Sequence, residues 1–328
     1  MLDQNAKQGI GATDLLETSS SLVAIGNFDG VHRGHQAVLC AAIDVAGAKG
    51  LVPVVLTFDP HPTVAVGRPP PALLTILSRK LELLQRLDPQ LHVVVQHFDR
   101  EFASQSPEVF IQSVLVQKLH AKCVRVGDNF RFGTGRSGDL AALREHGARM
   151  GFEAMATTMV GDAHGRYSST RARDAIAAGN LTVAREILGR PHALIGEVVR
   201  GQRLAHQLGF PTANLAWVAE ALPPHGVYAV AVDVEDESGK ATRLGKGVAN
   251  LGVRPTMDAG FAVEVHLLDF SGDLYGKKLR VHLIDFIRPE RKFAETGDLK
   301  VQIARDVEAA RSALEGLRGR GSASEAWF

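Results

Sequence analysis

The sequence predicts two domains of different class, α/β followed by all-β, on three observations. Through residue 189, short apolar runs alternate with segments of helical periodicity, the pattern of βαβ units around a mostly parallel sheet. From residue 192 the hydrophobic period falls to two, with runs separated by Gly, Pro and Asp turns, as in an antiparallel barrel. At 328 residues, with 45% hydrophobic and 22% charged side chains, the chain can fill two cores and is too apolar to be disordered. The boundary falls near "LGRPHAL", giving domains 1–189 and 190–318 and a loose tail, 319–328.

In the first domain the predicted strands are "LVAIG" (22–26), "LVPVVLTF" (51–58), "LHVVVQHF" (91–98), "CVRVGD" (123–128) and "FEAMATTMV" (152–160). Helices are expected near 35–47, 78–87, 107–119 and 139–149, with two short ones around 169–178 and 181–188. In the second domain "ALIGEVV", "GVYAVAVDVE", "KGVANLG", "AVEVHLLDF" and "KLRVHLIDFI" read as strands. A last periodic stretch puts Leu299, Ile303, Val307, Ala310, Leu314 and Leu317 on one helical face, suited to covering a barrel.

Lys plus Arg total 37 and Asp plus Glu 36, so no overall basic field exists for nucleic acid, and a polyanion must be gripped locally. Cys40 and Cys123 lack metal-like spacing and fit reduced thiols, which favours the cytoplasm. The start carries no basic region followed by an apolar run, and no stretch of about 18 apolar residues is present, so no membrane segment is expected. Oligomeric state is left open, a homo-oligomer included.

"GNFDGVHRGH" (26–35) sits where a parallel strand gives way to a helix, the place where open α/β sheets hold ligands. Free N–H groups at a helix N-terminus suit a phosphate, and glycines allow close backbone approach. His32 and His35 can then neutralise charge developing on a phosphoryl group. A turn with incidental histidines is the bland alternative. "SST" (168–170) ahead of a helix reads as an N-cap, as a phosphate contact, or as both. In the second domain "LGFPTANL" (208–215) reads as a turn entering a strand, and Thr212 and Asn214 are hard oxygen donors of the kind Mg²⁺ accepts. Period two leaves Glu264 and His266 together on the face opposite Val263, Val265 and Leu267. Standing alone, Glu264 reads as a solvated carboxylate.

These motifs together resemble the bifunctional riboflavin kinase/FAD synthetase family of bacteria, whose first domain is a Rossmann-like HxGH nucleotidyltransferase. The resemblance rests on "GNFDGVHRGH", "TFDPHP" (57–62), "GDNFRFGTGRSGD" (127–139), "YSSTRAR" (167–173) and "LGFPTANL". It implies that His32 and His35 contact the ATP phosphates, with Gly26, Phe28, Asp29, Gly30, Asn129, Ser168, Ser169, Thr170 and Arg173 holding ATP and Pro60 and Pro62 beside the flavin. For the barrel it implies a riboflavin kinase, with Mg²⁺ on Thr212 and Asn214, Glu264 as base, and Arg288 and Phe293 of "IRPERKF" closing over the flavin. "GEVVRGQRLAHQ" (196–207) resembles the family's phosphate flap but carries Ala205 and His206 where a glycine and a basic residue are usual. Ala172 stands where an aliphatic residue is usual. The implied partners are ATP, riboflavin and FMN, with FAD as the product. A nucleotidyltransferase for another phosphorylated acceptor, with a non-catalytic β domain, is the competing reading.

Overall fold

The structure is a computed structural model that describes residues 19–200, 210–253 and 261–315. The chain forms two compact units, one of residues 1–71 and 77–167, the other of residues 72–76 and 168–328. Leu317, the flap residues Ala205 and His206, and the tail 319–328 lie outside the described residues.

The first unit is built on a five-stranded parallel sheet: β1 (Ser21–Ile25), β2 (Val52–Asp59), β3 (His92–His97), β4 (Ala121–Gly127) and β5 (Glu153–Thr157). Their order is β3-β2-β1-β4-β5. β1 is central and buried along its whole length, as a strand covered on both faces must be. Val23 and Ile25 pack on one face with Leu56, Leu115, Val124 and Leu143. Ala24 packs on the other with Leu39, Val55, Leu83, Leu84 and Val93. The helix Arg33–Lys49 stops at Gly50, whose φ of 66° is open to glycine at little cost. The expected helix at 107–119 starts on a Ser106 cap with Pro107 in its first turn, but from Ile111 to Lys118 it widens into a π-helix. β5 ends at Thr157, short of the expected Val160, where a two-residue ladder begins: β6 (Gly161–Asp162) and β7 (Gly165–Arg166).

The second unit is a closed, all-antiparallel barrel of β8 (Ala193–Val199), β9 (Ala213–Ala216), β10 (Gly226–Glu235), β11 (Ala241–Val253), β12 (Phe261–Leu267) and β13 (Lys278–Pro289), ordered β10-β11-β12-β9-β8-β13. Closure removes the exposed edges that an open sheet would leave. Inward side chains alternate with outward ones. Leu194, Leu215, Tyr228, Val230, Leu251, Val263, Val265 and Leu283 fill the interior. On the outside, Val227, Ala229 and Val248 lie under Ala310 and Leu314 of the C-terminal helix Thr296–Leu314. The predicted class is therefore borne out in both halves.

Candidate active sites

Gly26 follows β1, and the chain between it and the helix at Arg33 is tightly folded. Phe28, Gly30 and Val31 have φ of 49°, 82° and 37°, and for Phe28 and Val31 this is strained backbone. Phe28, Asp29 and His32 are buried. His32 is the N-cap of the helix, and its Nδ1 accepts the His35 backbone N–H at 3.2 Å. The two imidazoles stack with centroids 3.6 Å apart, and the Phe28 ring meets His35 edge-on at 5.1 Å. Gly34 is required here, because a Cβ would come within 3.0 Å of the His32 ring and 3.1 Å of the Tyr167 carbonyl. Two histidines are thus held together at a helix N-terminus, at the carboxyl end of the central strand.

The other first-unit motifs also leave the carboxyl ends of strands. The Asp59–Pro60 peptide is cis and closes β2. Pro62 opens a one-turn helix, Pro62–Ala65, capped by His61, whose Nε2 lies 3.2 Å from the Asn27 amide nitrogen. Asn129 follows β4 and is exposed, while its neighbour Asp128 pairs with Arg166 at 2.9 Å. An unbroken row of phenylalanines accompanies these segments. Successive centroid distances are 5.3 Å for Phe58–Phe98, 5.2 Å for Phe98–Phe102, 6.0 Å for Phe102–Phe110, 5.3 Å for Phe110–Phe132 and 5.5 Å for Phe132–Phe130. These edge-on, tilted and stacked rings belong to the core cluster on that face of the sheet, with Phe58, Phe110 and Phe132 buried and Phe98, Phe102 and Phe130 packed against it.

In the second unit Ser168 caps the helix Ser169–Ala177, accepting the Arg171 N–H at 3.1 Å. Ser169 and Thr170 open that helix, Ala172 is fully buried in it, and Arg173 donates from Nε to the Ala72 carbonyl at 2.6 Å. The capping reading of "SST" therefore holds for Ser168.

On the barrel, Asn214 of β9 stands directly opposite Glu264 of β12, and Asn250 of β11 stands opposite Glu264 on the other side. Ala213, Leu215, Ala249, Leu251, Val263 and Val265 point into the core, so the three polar residues form one row on the outer face. Thr212 lies one residue before β9 and is half-buried. The backbone entering it is steadied by His266, whose Nδ1 is 2.9 Å from the Pro211 carbonyl and whose ring meets Phe210 at 5.4 Å. Arg288 is committed to the C-terminal helix. Its Nε and Nη2 donate to both oxygens of the buried Asp306 at 2.7–3.1 Å, and its guanidinium lies 5.8 Å from the Phe293 ring centre.

Residues 15–171 match the FAD synthetase family model and residues 188–314 the riboflavin kinase family model. A bifunctional riboflavin kinase/FMN adenylyltransferase of Escherichia coli (strain K12) is 42% identical over 293 residues, covering 88% of this chain and 91% of its own. The chain belongs to the bifunctional riboflavin kinase/FMN adenylyltransferase family. The Pseudomonas fluorescens member is 40% identical over 301 residues, 90% of this chain and 94% of its own. A solved structure described as a macrolide-efflux protein from Streptococcus pneumoniae has the same fold, with a TM-score of 0.77, 30% identity and coverage of 90% of this chain and 94% of that one. Among the described residues no helix is long and apolar enough to cross a membrane.

Within the FAD synthetase part, the motifs at 57–62 and 127–139 contain Thr57, Phe58, Phe130 and Phe132, but sequence reasoning missed Phe98, Phe102 and Phe110 and also Lys80, a buried lysine whose Nζ lies 3.2 Å from Thr57 Oγ1. Within the riboflavin kinase part it missed Asn250. Such residues become visible only through strand pairing or a contact between distant segments, although "KGVANLG" reads as a strand from its period.

Proposed function

We propose that this chain carries out two consecutive ATP-dependent reactions, phosphorylation of riboflavin to FMN on the barrel and adenylylation of FMN to FAD at the carboxyl edge of the parallel sheet. The observation that carries the proposal is the register that sets Asn214 of the PTAN motif against Glu264 across one strand pair. In the kinase step Glu264 takes the proton of a ribityl hydroxyl as its oxygen bonds to the γ-phosphorus, and ADP leaves. Thr212 and Asn214 offer neutral oxygens beside a carboxylate, a donor set that fits Mg²⁺ held partly by nucleotide phosphates. When bound, that ion would neutralise phosphate charge. Arg288 and Phe293 border the flavin.

In the adenylyl step an FMN phosphate oxygen attacks the α-phosphorus of ATP and pyrophosphate leaves. The nucleophile is already anionic, so positioning and charge neutralisation suffice. His32 and His35 supply the second. Gly26, Phe28, Asp29, Gly30 and Asn129 hold ATP, while Pro60 and Pro62 lie beside the flavin. The two free cysteines, exposed Cys40 and buried Cys123, suit a reducing cytoplasm.

Incubation of the purified protein with riboflavin, ATP and Mg²⁺, with products separated over time, should give FMN and then FAD. His32→Ala and His35→Ala should each lower FAD formation from supplied FMN and leave riboflavin phosphorylation intact. Wild-type FAD synthesis in both variants would remove the histidines from the mechanism. Chelating the divalent cation should stop both half-reactions.

A further inference from the structure

The helix Leu77–Gln85 turns Lys80, Leu83 and Leu84 inward, the i, i+3, i+4 stripe of a core-facing helix. A methionine at position 80 would satisfy that packing. Lys80 is instead a lysine only 7% exposed, and burial of an ammonium is unfavourable unless it is well solvated by the protein. Its Nζ lies 3.3 Å from the Asn27 carbonyl and 3.2 Å from Thr57 Oγ1, with the Phe58 carbonyl at 3.5 Å. The Thr57 hydroxyl in turn donates to the same Asn27 carbonyl at 3.0 Å. Two donors therefore converge on one oxygen, that of the peptide leading into Phe28, where the backbone enters its strained left-handed conformation. Burial pulls the lysine's pKa down, and Asp29 and Asp59 act against that fall by favouring the charged form.

We propose that Lys80 is a positioning residue for adenylyl transfer, its buried ammonium fixing the Asn27–Phe28 peptide, and through it His32 and His35, against the Thr57–Pro62 segment. Without this hold, the Asn27 carbonyl loses the lysine donor that ties it to the Thr57–Phe58 segment, and the strained loop with its histidines can shift. Displacement of about 1 Å at a reacting centre costs up to about 10²-fold in rate. The effect falls mainly on turnover, because ground-state contacts from the loop tolerate a small shift better than charge neutralisation in the transition state does. The proposal rests on the reading that this loop is the adenylyl site.

The test uses the full-length chain with Lys80→Met, Thr57→Val and, in the same assay, His32→Ala. FAD formation from FMN and ATP is resolved into kcat and both KM values, with riboflavin phosphorylation and thermal unfolding measured on the same preparations. Lys80→Met should lower adenylylation kcat by about 10- to 100-fold and leave each KM within about threefold. Kinase turnover should be unchanged and the melting temperature equal or higher. Thr57→Val, which keeps the shape and removes the hydroxyl, should lower kcat in the same sense by about tenfold. A Lys80→Met protein with normal kcat, or one whose KM alone rises, overturns the proposal. Should Lys80→Met fail to fold, a folded Thr57→Val protein with wild-type kcat overturns it and a reduced kcat sustains it. Wild-type turnover in His32→Ala would instead sink the placement of the adenylyl site. Impaired His32→Ala beside normal Lys80→Met and Thr57→Val sinks only the role of the lysine.

Discussion

At the scale of single residues, the two sites ask different things of their side chains. A hydroxyl nucleophile needs somewhere to leave its proton, and Glu264 is the carboxylate in the Asn214–Glu264–Asn250 row. Glu264→Gln keeps size and most hydrogen bonding, so riboflavin phosphorylation should fall roughly 10²–10⁴-fold while FAD formation from FMN continues. Measuring both half-reactions on one preparation separates lost chemistry from lost fold. A second carboxylate of the barrel unit behaves differently. Glu220 is 3% exposed, and burial raises its pKa to about 7 against the hydrogen bonds of nearby backbone N–H groups and the pull of Lys278. A carboxyl with a raised folded pKa binds its proton more tightly in the native state than in the unfolded chain. Stability should therefore fall as pH rises from about 4.5 to about 7, by at most on the order of 3 kcal/mol, and recover none of it above that window. Glu220→Gln, which can still accept the Ile195 N–H, should flatten that dependence and stabilise the barrel unit at pH 8 in denaturant titrations. An unchanged pH slope would show that Glu220 is solvated.

At the scale of elements, what was legible followed from local period. β1 to β4 and the longer helices of the first unit are readable because apolar spacing and caps such as Ser106 and Asp139 are written within a few residues of where they act, whereas the short helices Pro62–Ala65 and Arg100–Ser104 carry too little period to be read. The early end of β5 and the π-helical turn at Ile111–Lys118 are not readable either, since both depend on packing against distant neighbours rather than on period. The same division applies to the sites. Glycines and histidines at 26–35 could be found in one stretch, and so could PTAN. Asn250 and Lys80 could not, because strand pairing and tertiary packing alone bring them to Glu264 and Asn27. Arg288 shows how an element-level role can overlie a motif: the flavin candidate also ties β13 to the C-terminal helix through Asp306, itself held by Gln302 at 2.9 Å. Asp306→Ala removes one partner of a largely buried pair and should cost about 3 kcal/mol. The loss should appear as faster hydrogen exchange across Thr296–Leu314, with the adenylyl reaction unaffected.

For the whole molecule, the question is where an autonomous kinase begins. The change of hydrophobic period near residue 190 suggests a cut there, and the riboflavin kinase family model begins at 188. The compact unit is larger. It takes in the helices Ser169–Ala177 and Leu181–Leu188 and the distant segment Ala72–Ile76. Leu181 packs with the barrel interior beside Leu194 and Val198, and truncating such a leucine typically costs 2–5 kcal/mol. From the distant segment, Leu73 pairs with Glu220 and its carbonyl accepts the Ala221 N–H at 2.6 Å. A fragment of residues 190–328 should therefore phosphorylate riboflavin but melt well below a fragment of residues 168–328, because only the longer one keeps Leu181. Neither contains Ala72–Ile76, so in both Glu220 loses cover, its pKa should drop toward the ordinary carboxylate range, and the pH dependence expected of the full chain should weaken. Thermal unfolding of the two fragments at pH 5 and pH 8 reads both effects at once. Equal melting temperatures would make the helices at 169–188 dispensable to the barrel, and an undiminished pH dependence would mean that Glu220 is buried by the barrel alone.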